Sequence, residues 1–189
     1  MELTASENWD ELVERCKKGD RLGYKELYGR YSKAMYNTCL RILNDATEAE
    51  DILQESFIEA FRNLAKFEYR TSFGGWLKQI CVNRSINQLK KRKLGLVEMS
   101  DSDLGIPAEE APDEEKINLK VASVKKALQQ LPDGYRTVLS LYLFEGYDQE
   151  EIAGILQVAE STVRTQYSRG KQKLVQLLNT EYEQARPIY

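Results

Sequence analysis

Tyr24, Leu27, Tyr28, Tyr31, Met35, Cys39 and Ile42 recur three or four residues apart, a helical period held for roughly five turns. A stripe of that length commits the chain to a long helix whose apolar face must meet other helices. The segments around it keep the same period. Trp9, Leu12, Val13 and Cys16 form a shorter row that stops at Gly19, and Asp20 is placed to start the long helix, which ends before Asn44. The tyrosines read as packing rather than as a stacking platform for nucleic-acid bases. Thr47 with Glu50 three residues on has the pattern of a capping box, opening a helix that buries Ala49, Ile52, Leu53, Phe57, Phe61 and Leu64. Residues 65–72 break the period with exposed-looking aromatics beside Lys66 and Arg70. After this loop Ser72 can cap a helix with the apolar row Phe73, Trp76, Leu77, Ile80, Ile86 and Leu89.

From Leu94 to Lys116 the helical period disappears. Gly95, Gly105, Pro107 and Pro112 interrupt it, and one base against eight acids leaves a charge of −7, the composition of a flexible linker. Beyond it, Ile117, Val121, Val124 and Leu128 mark a helix that ends at Leu131-Pro132, and a second runs from about Tyr135 to Glu145, where Gly146 closes it. Asp148 with Glu151 caps a third, burying Ile152, Ile155 and Leu156. Gln157 to Glu160 make a short turn, and Ser161 caps a fourth helix with Val163, Tyr167, Leu174 and Leu177 on its apolar face. The expected fold is therefore all-α, with two small helical domains, 1–93 and 117–189, joined by a flexible acidic linker, 94–116.

Lys+Arg 27 against Asp+Glu 30 gives a net charge of −3, so any nucleic-acid binding must come from local patches rather than an overall basic field. The patches are sharp. Asp45 to Glu59 holds six acids and no base, whereas Arg62 to Lys93 holds nine bases and one acid. Glu48, Asp51, Glu55 and Glu59 stack at intervals of three and four, so like charges face each other on successive turns at a cost of a few tenths of a kcal/mol per close pair, roughly. Glu55 and Glu59 lack an obvious compensating partner within the chain, and the row fits either a solvated face or a basic partner. On the next helix Gln79, Asn83 and Asn87 line up at i, i+4 and i+8 and lead into Lys90, Lys91, Arg92 and Lys93. Amides suit base edges and the terminal cluster suits phosphates; a solvated helix with a basic last turn has the same pattern. In the C-terminal half, Ser161 to Lys173 holds four bases and no acid. Helix, short turn and capped basic helix is the layout of a helix-turn-helix whose second helix enters a major groove.

There is no histidine, and the three cysteines, Cys16, Cys39 and Cys81, are scattered without a CxxC. That removes the common zinc sites and every histidine-based catalytic arrangement, and the cysteines read as reduced core residues. No catalytic residue, metal, cofactor or small-molecule substrate is expected. No apolar run approaches the ~20 residues needed to span a bilayer, and the first residues are too acidic for a secretory signal. The expectation is a cytoplasmic protein without membrane insertion.

Two blocks of residues together resemble the extracytoplasmic-function (ECF) sigma factors, the small two-domain class of RNA polymerase sigma subunits. DATEAEDILQESF at 45–57 followed by FGGWLKQICVNR at 73–84 is similar to sigma region 2, and Leu131-Pro132 through Arg136, Glu145-Gly146, Glu151-Ile152-Ala153 and Thr162-Val163-Arg164 are similar to sigma region 4. The resemblance implies that Glu48, Asp51, Gln54, Glu55 and Glu59 form a core-polymerase-binding face for a basic coiled coil of the largest catalytic-site subunit, which resolves the acidic row in favour of a partner. It implies that the 65–72 loop, with Lys66, Phe67, Tyr69 and Arg70, captures a flipped base of the promoter −10 element, and that Gln79, Asn83, Asn87, Lys90, Lys91 and Arg92 lie near the opening duplex. In region 4 it implies Arg164, Thr165 and Ser168 at base edges of the −35 element, with Arg136, Thr162, Arg169 and Lys171 toward phosphates and Ser161 in the same interface. The partners so implied are core RNA polymerase, including the subunit that contacts region 4, promoter DNA, and an anti-sigma factor. The linker would thread through the polymerase cleft or act as a plain tether. The alternative, a stand-alone helix-turn-helix transcriptional regulator using residues 131–178, leaves the acidic row and the amide-bearing helix unexplained. One departure stands out: a glycine often follows the leucine that ends the first helix of the motif, and here that place is Gln157, while Gly154 sits inside the helix at a cost of about 1 kcal/mol relative to alanine.

Overall fold

The structure, a computed structural model, describes residues 5–95 and 121–184, with side chains placed within 11–92 and 123–180. Residues 96–116 of the expected linker, Ile117 and the side chains of Trp9 and Lys93 lie outside the described residues. The chain divides into two compact units, Met1–Lys90 and Lys91–Tyr189. In the first, α1 (Ala5–Lys17), α2 (Arg21–Leu43) and α3 (Ala46–Arg62) are followed by a 3-10 turn (Leu64–Lys66) and by α4 (Phe73–Gly95), which runs on past the division. The second holds α5 (Val121–Gln129), α6 (Asp133–Ser140), a π-helical turn (Leu141–Glu145), α7 (Gln149–Leu156) and α8 (Glu160–Gln184). Every regular element among the described residues is helical, so the fold is all-α.

The ends of the helices are set by local chemistry. Gly19, at φ +88°, turns the chain out of α1, and Asp20 caps α2 by accepting from the Leu22 N–H at 2.9 Å. Asn44 ends α2 in the left-handed conformation, φ 54°. The start of α3 differs from expectation. Its N-cap is Asp45, whose Oδ1 accepts from the Glu48 N–H at 2.9 Å, and Thr47 with Glu50 lies inside the first turn rather than forming a capping box. An aspartate directly after a left-handed residue is already in extended backbone with its carboxylate aimed at the free N–H groups, so it takes the cap two residues early. Ser72 caps α4 as expected, accepting from the Gly75 N–H at 3.1 Å.

The core of the first unit is the long stripe of α2 met by α3 and α4. Leu27, Met35, Cys39, Ile42 and Leu43 are buried, as are Ala49, Ile52, Leu53, Phe57 and Ala60 on α3 and Phe73, Leu77, Cys81, Val82, Ile86 and Leu89 on α4. The tyrosines are packing: Tyr24 meets Phe61 edge-on at 4.8 Å, Tyr28 lies 4.7 Å from Phe57, and Tyr31 lies 5.4 Å from Phe73. Gly74 permits the last contact, since a Cβ there would fall 2.7 Å from the Tyr31 ring. All three cysteines are buried, and none is in a disulfide. Burial pushes the Cys16 thiol up to about 11, which keeps it protonated and unreactive.

In the second unit Ala127, Leu128, Leu131, Leu139, Leu174 and Leu178 form the core, with Val124, Tyr135, Tyr167 and Leu177 against it. The Asp148–Glu151 capping box forms in both directions, each bond 2.8 Å. Gly146, at φ +79°, closes the π-helical turn. The turn into α8 uses Gln157 in the left-handed conformation, φ 61°, the geometry that glycine adopts most cheaply. Ser161 is not the cap of α8. The helix begins at Glu160, and the Ala159 carbonyl accepts from the Thr162 and Val163 N–H groups at 2.9 and 3.3 Å, so Ser161 stands within the first turn. Gly154 sits mid-helix with nothing within 4 Å of an added Cβ. Replacing it with alanine is expected to stabilise the second unit by about 1 kcal/mol, read as a rise of a few degrees in its thermal midpoint.

Candidate partner and nucleic-acid interfaces

The side of α3 turned away from the core carries Asp51, Gln54 and Glu55, all exposed, with Glu48 and Glu59 half-buried beside them. The expectation that Glu55 and Glu59 have no partner within the chain is overturned. Arg84 reaches from α4, donating Nε to Glu59 Oε2 at 2.6 Å and Nη1 to Glu55 Oε2. Carboxylates four residues apart lie one turn above another, and one planar guanidinium can bridge them. The row is thus part-neutralised at its C-terminal end, while Asp51 and Gln54 face solvent. Beside them α2 contributes Tyr28, Ser32, Lys33 and Tyr36 to a shallow groove closed by Glu50, Leu53 and Gln54.

On α4 the polar stripe is where the spacing put it. Gln79, Asn83 and Asn87 are all exposed, Lys91 is exposed, and Lys90 and Arg92 are half-buried. The preceding loop is less open than the sequence suggested. Phe67 is 5% exposed, stacked on Trp76 at 5.2 Å and edge-on to Phe73 at 6.1 Å. Its ring is a floor for the loop, because three neighbouring aromatic faces bury more apolar area than a turn into water could. Lys66 and Tyr69 are exposed, and Arg70 is exposed and pairs with Glu68 at 2.9 Å. Tyr69 has φ 58°. It is held by α1: its Oη donates to Glu14 Oε1 at 2.5 Å, and the Lys17 ammonium stands 4.3 Å from its ring centroid. Lys17 also donates to the Phe67 carbonyl at 3.1 Å and pairs with Glu14 at 3.0 Å. The Tyr69 hydroxyl, then Lys17, hold the Glu14 carboxyl below its ordinary range.

In the second unit α8 presents Ser161, Thr162, Arg164, Thr165, Ser168, Arg169 and Lys171, all exposed, opposite a buried row of Val163, Gly170, Leu174 and Leu178. Thr165 Oγ1 donates to the Ser161 carbonyl at 2.9 Å, and Arg164 pairs with Glu160 at 2.7 Å. Such an exposed pair holds little free energy and can exchange for another anion. Arg136 is placed differently from expectation. It is 3% exposed and serves the fold, donating Nη1 to the Leu131 carbonyl at 2.8 Å and Nη2 to Asp133 Oδ1 at 2.5 Å. An arginine in the first turn of α6 can reach back to a carbonyl left free just past the end of α5, so it faces inward rather than toward a phosphate. Arg84, Glu14 and Lys17 are the residues that the sequence reading missed. The one signal for Arg84 was the Glu55–Glu59 spacing, which calls for a single bridging base; nothing in the sequence ties α1 to the loop.

Residues 27–94 match the family described as Sigma-70 region 2, and residues 121–174 match Sigma-70, region 4. The chain is 31% identical over 182 residues to the RNA polymerase sigma-H factor of Pseudomonas aeruginosa, covering 91% of this chain and 94% of that one. It is 29% identical over 180 residues to the ECF RNA polymerase sigma factor SigW of Bacillus subtilis, covering 86% and 92%. Among solved structures, the sigma factor RpoE in complex with the anti-sigma factor NepR from Bartonella quintana aligns with a TM-score of 0.55 at 25% identity, over 82% of this chain and 96% of that one. The region 2 match falls almost wholly in the first unit and the region 4 match in the second, and the likeness runs over 94% and 92% of the two sigma-factor relatives, which a lone helix-turn-helix would not produce. No helix among the described residues is long and apolar enough to cross a membrane. With its acidic helix, amide-bearing helix and helix-turn-helix all inside the matched regions, the chain belongs to the ECF class of the sigma-70 family, the RNA polymerase sigma factors.

Proposed function

We propose that this sigma factor is a non-catalytic, cytoplasmic specificity subunit that docks on core polymerase through α3, opens the −10 element with the 65–72 loop and α4, and reads the −35 element with α8. The observation that carries the reading is that one compact unit keeps an acidic α3 face and a basic, amide-bearing α4 face, a division suited to two partners of opposite charge. Asp51, Gln54, Glu55, Glu48 and Glu59 form the docking face, for a basic coiled coil of the largest catalytic-site subunit. Lys66, Tyr69 and Arg70 approach an unstacked base, Gln79, Asn83 and Asn87 the duplex edge, and Lys90, Lys91 and Arg92 its phosphates. Arg164, Thr165 and Ser168 approach base edges of the −35 element, with Ser161, Thr162, Arg169 and Lys171 around them. Phe67 and Arg136 support the surfaces rather than touch DNA. The working domains are 1–93 and 117–189, with 94–116 as the acidic tether. The relative from Bartonella quintana is bound by an anti-sigma factor, and a protein of that kind, covering the same faces, is proposed as a further partner.

Run-off transcription from a set of candidate promoters tests this, with core polymerase alone, this protein alone, and both together. Transcript only in the combined reaction is the expected result. A sequence-specific duplex shift by the protein alone at moderate salt, with no transcript in any lane, would overturn it, because a chain of net charge −3 lacks the field for tight unaided duplex binding.

A further inference from the structure

We propose that Glu14 and Lys17 of α1 are positioning residues for the 65–72 loop, holding it in its base-receiving shape before any DNA arrives. The inference rests on the reading of that loop as the base-capture element, and it adds a part that lies outside the loop and α4. Tyr69 adopts φ 58°, a left-handed conformation that is unfavourable for a residue with a Cβ and persists only where surrounding contacts over-determine it. Beside the Phe67 ring, 4.7 Å away within the loop, the long-range contacts come from one helical turn of α1. Glu14 Oε1 accepts the Tyr69 hydroxyl at 2.5 Å, from 55 residues away in sequence. The Lys17 ammonium sits 4.3 Å from the Tyr69 ring centroid, within cation–π range, and donates to the Phe67 carbonyl at 3.1 Å, 50 residues away. The Lys17–Glu14 pair at 3.0 Å ties the two anchors together. Lys17 is the better shielded of the two, with its side chain 19% exposed against 49% for Glu14, so its loss should matter more.

The consequence is energetic. Extracting a base from a duplex is costly, and a loop that must also order itself at that moment adds its own entropy to the cost. A loop already fixed by α1 does not. Tyr69 remains 38% exposed while its hydroxyl and ring are gripped, which is the arrangement of a residue held out for use rather than packed away.

The test uses the full chain assembled with core polymerase and a single-stranded −10 oligonucleotide, together with hydrogen exchange across 65–72 in the free protein. Lys17→Met and Glu14→Ala are expected to speed exchange in the loop and to weaken oligonucleotide binding by about tenfold and about threefold, with affinity for core polymerase unchanged. Lys17→Arg, which restores cation and donors, should recover most of the loss; a role limited to stability would instead lower the thermal midpoint and both affinities together. Unchanged exchange in the α1 variants would overturn the proposal, as would tighter oligonucleotide binding, the mark of a restraining latch. Lys66→Ala with Arg70→Ala distinguishes the two levels of the argument. If that loop variant weakens binding and the α1 variants do not, the positioning role fails and base capture by the loop stands. If neither affects binding, base capture by the loop fails as well.

Discussion

Arg136→Ala is expected to destabilise the second unit by about 3 kcal/mol, a fall of on the order of 10–20 °C in its thermal midpoint. The side chain is 3% exposed and holds the Leu131 carbonyl and the Asp133 carboxylate at once. Truncation leaves a carbonyl and a carboxylate without their donor at the place where α5 gives way to α6, beside the Leu128, Leu131 and Leu139 core. The Asp133 side chain is 41% exposed and can turn to water, so most of the cost is the buried Leu131 carbonyl left without its donor and the space the side chain leaves behind. Lysine should recover only part of the loss, because a point charge cannot serve two acceptors as a planar fork does. Thermal melting and −35 duplex binding by the holoenzyme together decide the matter. Were Arg136 a phosphate contact, the variant would keep its midpoint and lose affinity with a shallower salt dependence; loss of both, with the midpoint leading, is the outcome expected of a structural arginine.

Asp51→Lys should weaken association with core polymerase by about 100-fold, or roughly 2.7 kcal/mol, while leaving the first unit folded. Asp51 is exposed in the middle of the acidic face, so reversing its charge sets like against like across the proposed interface without disturbing the core. Glu55 and Glu59 are the less clean places for the same experiment. Both carboxylates are bound to Arg84, and a lysine at either would push against that guanidinium, mixing a folding defect into the binding measurement. Competition binding with labelled core, paired with a melt of the free protein, separates the two effects. Unaltered affinity for Asp51→Lys would move the docking face off α3.

Helix existence and order were legible because they depend on neighbours three and four residues away. The stripe from Tyr24 to Ile42, the Asp20, Ser72 and Asp148 caps and the Gly146 stop all form where their spacing put them. Where the sequence reading erred locally, it started the helix too late: Asp45 took the capping role given to Thr47, and the start of α8 at Glu160 left Ser161 inside the helix. The exposed stripe Gln79, Asn83 and Asn87 and the basic face of α8 were likewise readable, since a helical period fixes which residues share a side.

Periodicity fixes the apolar face of each helix, and charge counting fixes which segments are acidic or basic. Neither says which side chain from a distant segment will stand opposite a given one, because that depends on how the helices are rotated and staggered once packed. Hence only the tertiary structure decided that Arg84 bridges Glu55 and Glu59, that Arg136 turns inward, and that Phe67 is a buried floor. It also decided that α1 grips Tyr69. The sequence determined an all-α chain with segregated charge; long-range polar pairing, set by packing geometry rather than by local spacing, decided how its surfaces are held.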